Sequence, residues 1–335
     1  MRSPDSVPLT ASELGYLWTG TAINELSSWY LRVFHAHAAD MEIKELLDTA
    51  LQMTNKTILE QRKQLLAHDH YAVPQGFAAS DALGDGPALF TDRFMLQYLD
   101  IAIRLGLVFH SKSLAQAARA DVREYFAECV AATIQLVQRI KDTLLRKGMY
   151  WRTPALPSEE NPEVIHKQSY LNGWFGDTRP LNSIELANLY DTMELLALIE
   201  ALCMGFAQTS NSEDVARLFS KGASVVREQF DSMSHALLKS HMPIPPTFQA
   251  EVTDSTGSVF SDRLMACHIA GVFGSLITQA GYSLGSVMNH ELVKLYMSLI
   301  SEAGAFTEQI TKCLIDHEWL EKVPGAVDRE ALLST

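Results

Sequence analysis

Three ionisable side chains in the second half of the chain fall where water should not reach them. Glu194 interrupts the apolar stripe of Leu186, Tyr190, Ala197, Ala201 and Gly205. His268 lies among Leu264, Val272, Ser275 and Gln279, and Glu302 among Leu295, Leu299, Phe306 and Cys313. Buried ionisable groups need partners, and carboxylates with an imidazole facing one interior are the donor set of a non-haem metal site. Iron, manganese or zinc would suit such a set, and oxidation or metal handling would be its chemistry. Counted at 1.5 Å per residue from the end where the helix of Glu194 starts, Glu194 and Glu302 stand at roughly 16 and 20 Å, and His268 roughly 8 Å higher. Glu194 and Glu302 can therefore share a site, level with Glu228 to Asp231, while His268 reads first as a core histidine bonded to a neighbour.

The first half offers less. Glu25, Glu60 and Glu128 reach similar heights, but Glu60 and Glu128 sit at the edges of their stripes and no histidine joins them, so they read as solvated or interface glutamates. His35/His37 and His68/His70 are spaced i, i+2 near helix ends, where helical side chains diverge and chelate poorly. Glu-x-x-His, the signature of a di-metal bundle, is absent from every helical stretch; Glu163 to His166 has that spacing but lies in a Pro-rich segment. No P-loop, Rossmann glycine pattern, G-x-S-x-G or H-E-x-x-H occurs. No reaction class follows from the motifs. Cys129, Cys203, Cys267 and Cys313 stand singly in apolar patterns and read as reduced, buried thiols.

Helical periodicity runs almost throughout and positions these residues. Helices are expected over 12–39, 41–69, 90–117 and 119–147, and again over 183–209, 212–240, 260–287 and 289–317. The chain is written twice: "LTASELGYLW" from Leu9 returns as "LNSIELANLY" from Leu181, and Phe90, Asp92, Arg93 and Met95 return as Phe260, Asp262, Arg263 and Met265. Short links pair the first two helices of each copy, and the last two, as hairpins. About twenty residues separate the hairpins, enough to cross the full length of a bundle, roughly 42 Å. The expected fold is all-α, a tandem duplication of a ferritin-like four-helix bundle with eight long helices and a long crossover between helices 2 and 3 of each copy. A plain up-down-up-down bundle is the alternative. The expected divisions are a first bundle over 1–148, an ordered Pro- and aromatic-rich connector over 149–180, a second bundle over 181–320 and a tail over 321–335.

The repeated "FTDR" and "FSDR" read as a helix start. Thr91 and Ser261 suit an N-cap, Asp92 and Asp262 suit the positive end of the dipole, and Phe90 and Phe260 can staple the crossover to the helix. At the end of this stretch the copies diverge, with Tyr98 in the first where the second has His268. A net charge of −13 argues against a nucleic-acid partner. No run of about 18 uninterrupted apolar residues marks a transmembrane segment. The first residues lack the apolar core of a secretory signal, so a cytoplasmic location is expected.

The strings "LTASELGYLWTG", "QSYLNGWFGDTRPLNSIEL", "EVTDSTGSVFSDRLMACH" and "NHELVKLYMSLISEAGAF" with "WLEKVPGAVDR" together cover the chain. It resembles an uncharacterised family of duplicated ferritin-like proteins of endospore-forming Firmicutes, some of whose members are labelled putative spore coat protein. The resemblance implies the tandem-bundle fold and a spore-forming host, in the mother cell or with the spore, and supplies no catalytic residues. Two functions are weighed on this basis. One is a non-catalytic structural or interaction protein linked to sporulation, with protein partners or as a homo-oligomer. The other is a metal-binding protein or oxidoreductase built on Glu194, His268 and Glu302. A small apolar ligand at the bundle seam, near Trp151, Tyr170, Trp174 and Phe175, is a third expectation.

Overall fold

The structure, a computed structural model, describes residues 7–82, 84, 86–158, 161–171 and 179–330. Its first copy comprises α1 (Ala11–His37), α2 (Met41–Gln52) continued by a π-helical segment (Met53–Leu59) into α3 (Glu60–His68), α4 (Asp92–Gln116) and α5 (Ala120–Arg146). The second comprises α6 (Ser183–Thr209), α7 (Glu213–Lys239), α8 (Asp262–Leu284) and α9 (His290–Asp316). The α2–π–α3 rod corresponds to α7.

Each copy starts on the same cap. Thr10 and Asn182 accept the N–H of Glu13 and Glu185, whose carboxylates return to the cap N–H groups. Those two carboxylates are buried, and each does a second task at a distance. Glu13 accepts the N–H groups of Ala118 and Arg119 in the α4–α5 turn, and Glu185 those of Met288 and Asn289 in the α8–α9 turn. At the opposite end Asp92 accepts the N–H groups of Ala39 and Asp40 from the α1–α2 turn, and Asp262 is bound by Ser210 and Asn211. The start of α4 therefore lies beside the α1–α2 turn, and the crossover from α3 has travelled the length of the bundle. The same holds between α7 and α8. Both copies have the long-crossover connectivity, and the up-down-up-down alternative is not found.

The two crossovers meet. Phe90 bridges Val252 and Ala82 bridges Phe260, antiparallel in both cases. Thr91 N–H donates to the Glu251 carbonyl, Thr253 N–H to Leu89 and Ser261 N–H to Asp81, at 3.0, 3.0 and 2.8 Å. One hydrophobic core runs through this seam and takes residues from both copies, including Phe34, Phe90, Phe94, Phe206 and Phe260. A second, smaller cluster fills the far end of the first bundle around Leu17, Leu66, Val122 and Phe126. By length and composition α8 is apolar enough to cross a membrane, with mean hydropathy 1.3 over its best window, but half of that window is buried inside the protein. Its buried face, with Leu264, Ile269, Phe273 and Leu276, packs into the core of the second bundle.

Candidate functional site

The structure places Glu194, His268 and Glu302 in three separate networks. Glu194 and Asp191 clasp the Arg104 guanidinium across the boundary between copies, and Asp100 bonds Arg104 from its own helix and Lys141 at 2.7 Å. Burial pushes the Glu194 carboxyl up, Arg104 pulls it down, and Asp100 adds to the rise. Glu302 accepts from the Gln229 amide at 2.6 Å and the Ser298 hydroxyl at 2.9 Å. Neither carboxylate meets the other or His268. Among the described residues no group of three His, Cys, Asp or Glu side chains is arranged to hold a metal ion.

His268 meets its own counterpart. The Tyr98 hydroxyl lies 3.3 Å from His268 Nε2, so the position where the two copies diverge is a point where they touch. The imidazole packs edge-on to Tyr30 at 4.2 Å and is ringed by Tyr98 and Phe206. Burial holds it neutral, its pKa down at about 3. A neutral ring with Nε2 unprotonated accepts the Tyr98 proton, and the Nδ1 atom then carries a buried N–H with no protein partner.

The four repeated residues each do a distinct job. Thr91 Oγ1 caps Phe94 N–H and donates to the Glu251 carboxylate at 2.5 Å, and Ser261 caps Leu264 and donates to Asp81 at 2.7 Å. Arg93 and Arg263 reach the same two carboxylates at 3.7 and 3.8 Å. Asp92 and Asp262 fasten the hairpin turns, while Phe90 and Phe260 enter the aromatic core. The motif is a helix start, as its residue types require, and also a reciprocal clasp between copies.

A polar constellation that the sequence did not reveal lies inside the first bundle. Arg62 is fully buried. Its Nε donates to the Tyr125 hydroxyl and its Nη1 to Asn24 Oδ1, both at 2.8 Å, and Tyr125 passes its proton to the Ile58 carbonyl at 3.1 Å. Nη2 is buried with no partner. The guanidinium lies against the faces of Phe109 and Tyr125, and a Cβ on Gly20 would overlap it. Next to it, Thr133 donates to the Cys129 carbonyl at 2.7 Å, so its oxygen accepts from His110 Nδ1 at 3.3 Å. Burial and the nearby guanidinium push His110 down to about 3, and burial pushes Tyr125 and the Cys129 thiol up. All three stay neutral around Arg62.

The second bundle has none of this. Counting from the shared caps, Gly20, Asn24, Arg62, His110, Tyr125, Cys129 and Thr133 correspond to Thr192, Leu196, Met233, Ala280, Leu295, Leu299 and Ala303. The π segment explains the register. From N-cap to C-cap the first rod runs Asp40 to Asp69, the second Ser212 to Ser240, one residue fewer. The extra residue is absorbed by the widened turns of the π segment, a feature frequent at functional sites.

Beside that segment an open cleft of about 350 Å³ is lined by Glu25, Ser28, Trp29, Arg32, Asn55, Glu60 and Lys63. Glu25 ion-pairs with Lys63 there, and Glu128 is exposed elsewhere. His37 Nε2 contacts the Gly86 carbonyl at 2.9 Å, and His70 has left the helix with φ 61°. In the connector, Trp151 stacks on Phe248 at 4.6 Å and Tyr170 on Arg179, whereas Glu163 and His166 are exposed. Trp174 and Phe175 lie outside the described residues.

Among curated proteins, a 74-residue stretch, 22% of this chain, is 36% identical to a glycine cleavage system H protein of Bacteroides fragilis and spans 57% of it. The chain thus covers little more than half the length of that relative. Among solved structures, a "putative spore coat protein" of Bacillus halodurans is 24% identical, with a TM-score of 0.42 over 47% of this chain and 100% of that one. A family profile matches twice, over residues 3–161 and 169–332, repeating the division into two copies. The chain belongs to the family described as "Protein of unknown function (DUF3231)".

Proposed function

We propose that the protein is a non-catalytic structural or interaction protein, a rigid two-bundle scaffold. The observation that carries this reading is that the side chains best suited to chemistry in the second bundle are engaged inside the fold. Glu194 is held by Arg104, Glu302 by Gln229 and Ser298, and His268 by Tyr98. A carboxylate tied to a guanidinium is a poor metal ligand, because binding a cation there would first break a charge-assisted bond. Each copy is a four-helix bundle with a long crossover, and scaffolds of that kind carry function only through their sites. The link to sporulation, with location in the mother cell or the spore, rests on the resemblance of the sequence strings alone.

Elemental analysis of protein purified without added metal, and again after anaerobic Fe(II) loading, tests the reading. The expected result is no stoichiometric iron, manganese or zinc in either sample. Stoichiometric metal that disappears in a Glu194→Ala, Glu302→Ala double variant would overturn it in favour of a metal-binding protein or oxidoreductase.

A further inference from the structure

We propose that the first bundle binds a compact monovalent anion, of chloride size, against the free edge of Arg62. The argument begins with charge. An arginine is permanently protonated, and a buried cation without a counter-charge is among the most unfavourable arrangements a core can hold. The groups that hold Arg62, Tyr125 and Asn24, are neutral. His110, Tyr125 and Cys129 around it are each driven to their neutral forms by burial. The rings of Phe109 and Tyr125 offset part of the charge but offer no acceptor for the unpartnered Nη2. A bridging water would satisfy the hydrogen bond and leave the charge; an anion answers both.

Geometry limits the class. Two of the five N–H donors are committed, that of Nε and one of the two on Nη1, so the side-on edge made with Nε is taken and donation centres on Nη2. Gly20 lies against Nη1, and Nη2 is itself shut off from solvent, which restricts a ligand there to a compact one. The second copy supplies the internal control. It places Met233 at this position, with Leu196 and Leu295 for the two hydrogen-bonding partners, and builds an apolar core without the π insertion. The polar alternative in the first copy is a departure that needs its own compensation.

The thermal unfolding midpoint of the full chain, followed while sodium chloride replaces sodium gluconate at constant ionic strength, tests the proposal. A ligand that binds only the folded state raises the midpoint with concentration. The wild type should rise across a tenfold range of chloride and Arg62→Met should stay flat. A flat wild type, or equal slopes in both proteins, would overturn the proposal. Crystals soaked in bromide give a second readout that needs no variant: an anomalous peak within hydrogen-bonding reach of Nη2 supports the site, and its absence in well-occupied crystals overturns it.

Discussion

Arg62 shows why the most unusual residue of the molecule could not be read from the chain. It lies in "EQRKQ", a run whose polarity marks a solvated face, and a regular 3.6 period carries no hint of the residue inserted before it. Glu194 and Glu302, read as buried from the stripes they interrupt, are only half-buried, and His268 alone of the three was legible as buried. Their partners were not legible, since Arg104 and Gln229 come from other helices and Tyr98 from the other copy. Two predictions belong at this scale. In chloride-free buffer Arg62→Met should be neutral or stabilising by about 1–4 kcal/mol, as when well-packed apolar residues replace a buried charge. Arg62→Ala should instead cost about 2–5 kcal/mol through the cavity it leaves. Chemical denaturation of both variants checks the contrast. Gly20→Ala should destabilise the wild type through overlap with the guanidinium and Phe109, and less so in the Arg62→Met background, where only the Phe109 contact remains, a coupling read from a double-mutant cycle.

At the scale of elements, the caps and hairpins were legible because each has a local cause. Thr91 and Ser261 are N-caps in the sequence and in the fold, Thr10 and Asn182 join them in the fold, and α6 spans the residues its period implies. The π segment was not legible, since one extra residue in a thirty-residue rod alters no stripe enough to notice. Neither was the pairing of crossovers, contacts between residues 162 and 178 apart in chain order. Removing one exposed residue of the segment, Lys56, should give a regular helix of the same length as α7 and leave Arg62 at the place Met233 holds in the second rod. The expected result is a folded protein with helical circular dichroism little changed and one cooperative melt; loss of the fold would contradict it.

The helix starts also set the acid response. Burial alone would raise the Glu185 pKa, but the Arg179 bonds and the N–H groups of Asn182 and Met288 outweigh it and hold the carboxyl below its usual value. Its stabilisation is then fully present above about pH 4.5, the ordinary glutamate range, and is lost as pH falls through the lower folded-state pKa. Glu185→Gln should cost on the order of 3 kcal/mol at pH 7 and progressively less in that acid window, where wild type and variant converge. Urea titrations at pH 7 and in acid check the sign. A penalty that stayed constant would show that the charge of Glu185 does not matter.

For the whole molecule, duplication has produced one body and not two beads. The crossovers exchange backbone bonds, the clasps Thr91–Glu251 and Ser261–Asp81 repeat across the seam, and Arg104 of one copy holds Asp191 and Glu194 of the other. Tyr30 and Phe34 of the first copy pack on Phe260 of the second inside a shared core. Such a scaffold gains its rigidity from the seam, so neither copy should unfold alone. Differential scanning calorimetry of the full chain in chloride-free buffer tests that central claim most directly. The account predicts a single transition whose calorimetric and van't Hoff enthalpies agree, displaced to lower temperature as one peak in a Thr91→Val, Ser261→Val double variant. Two resolved transitions in the wild type, with the double variant shifting neither, would contradict it.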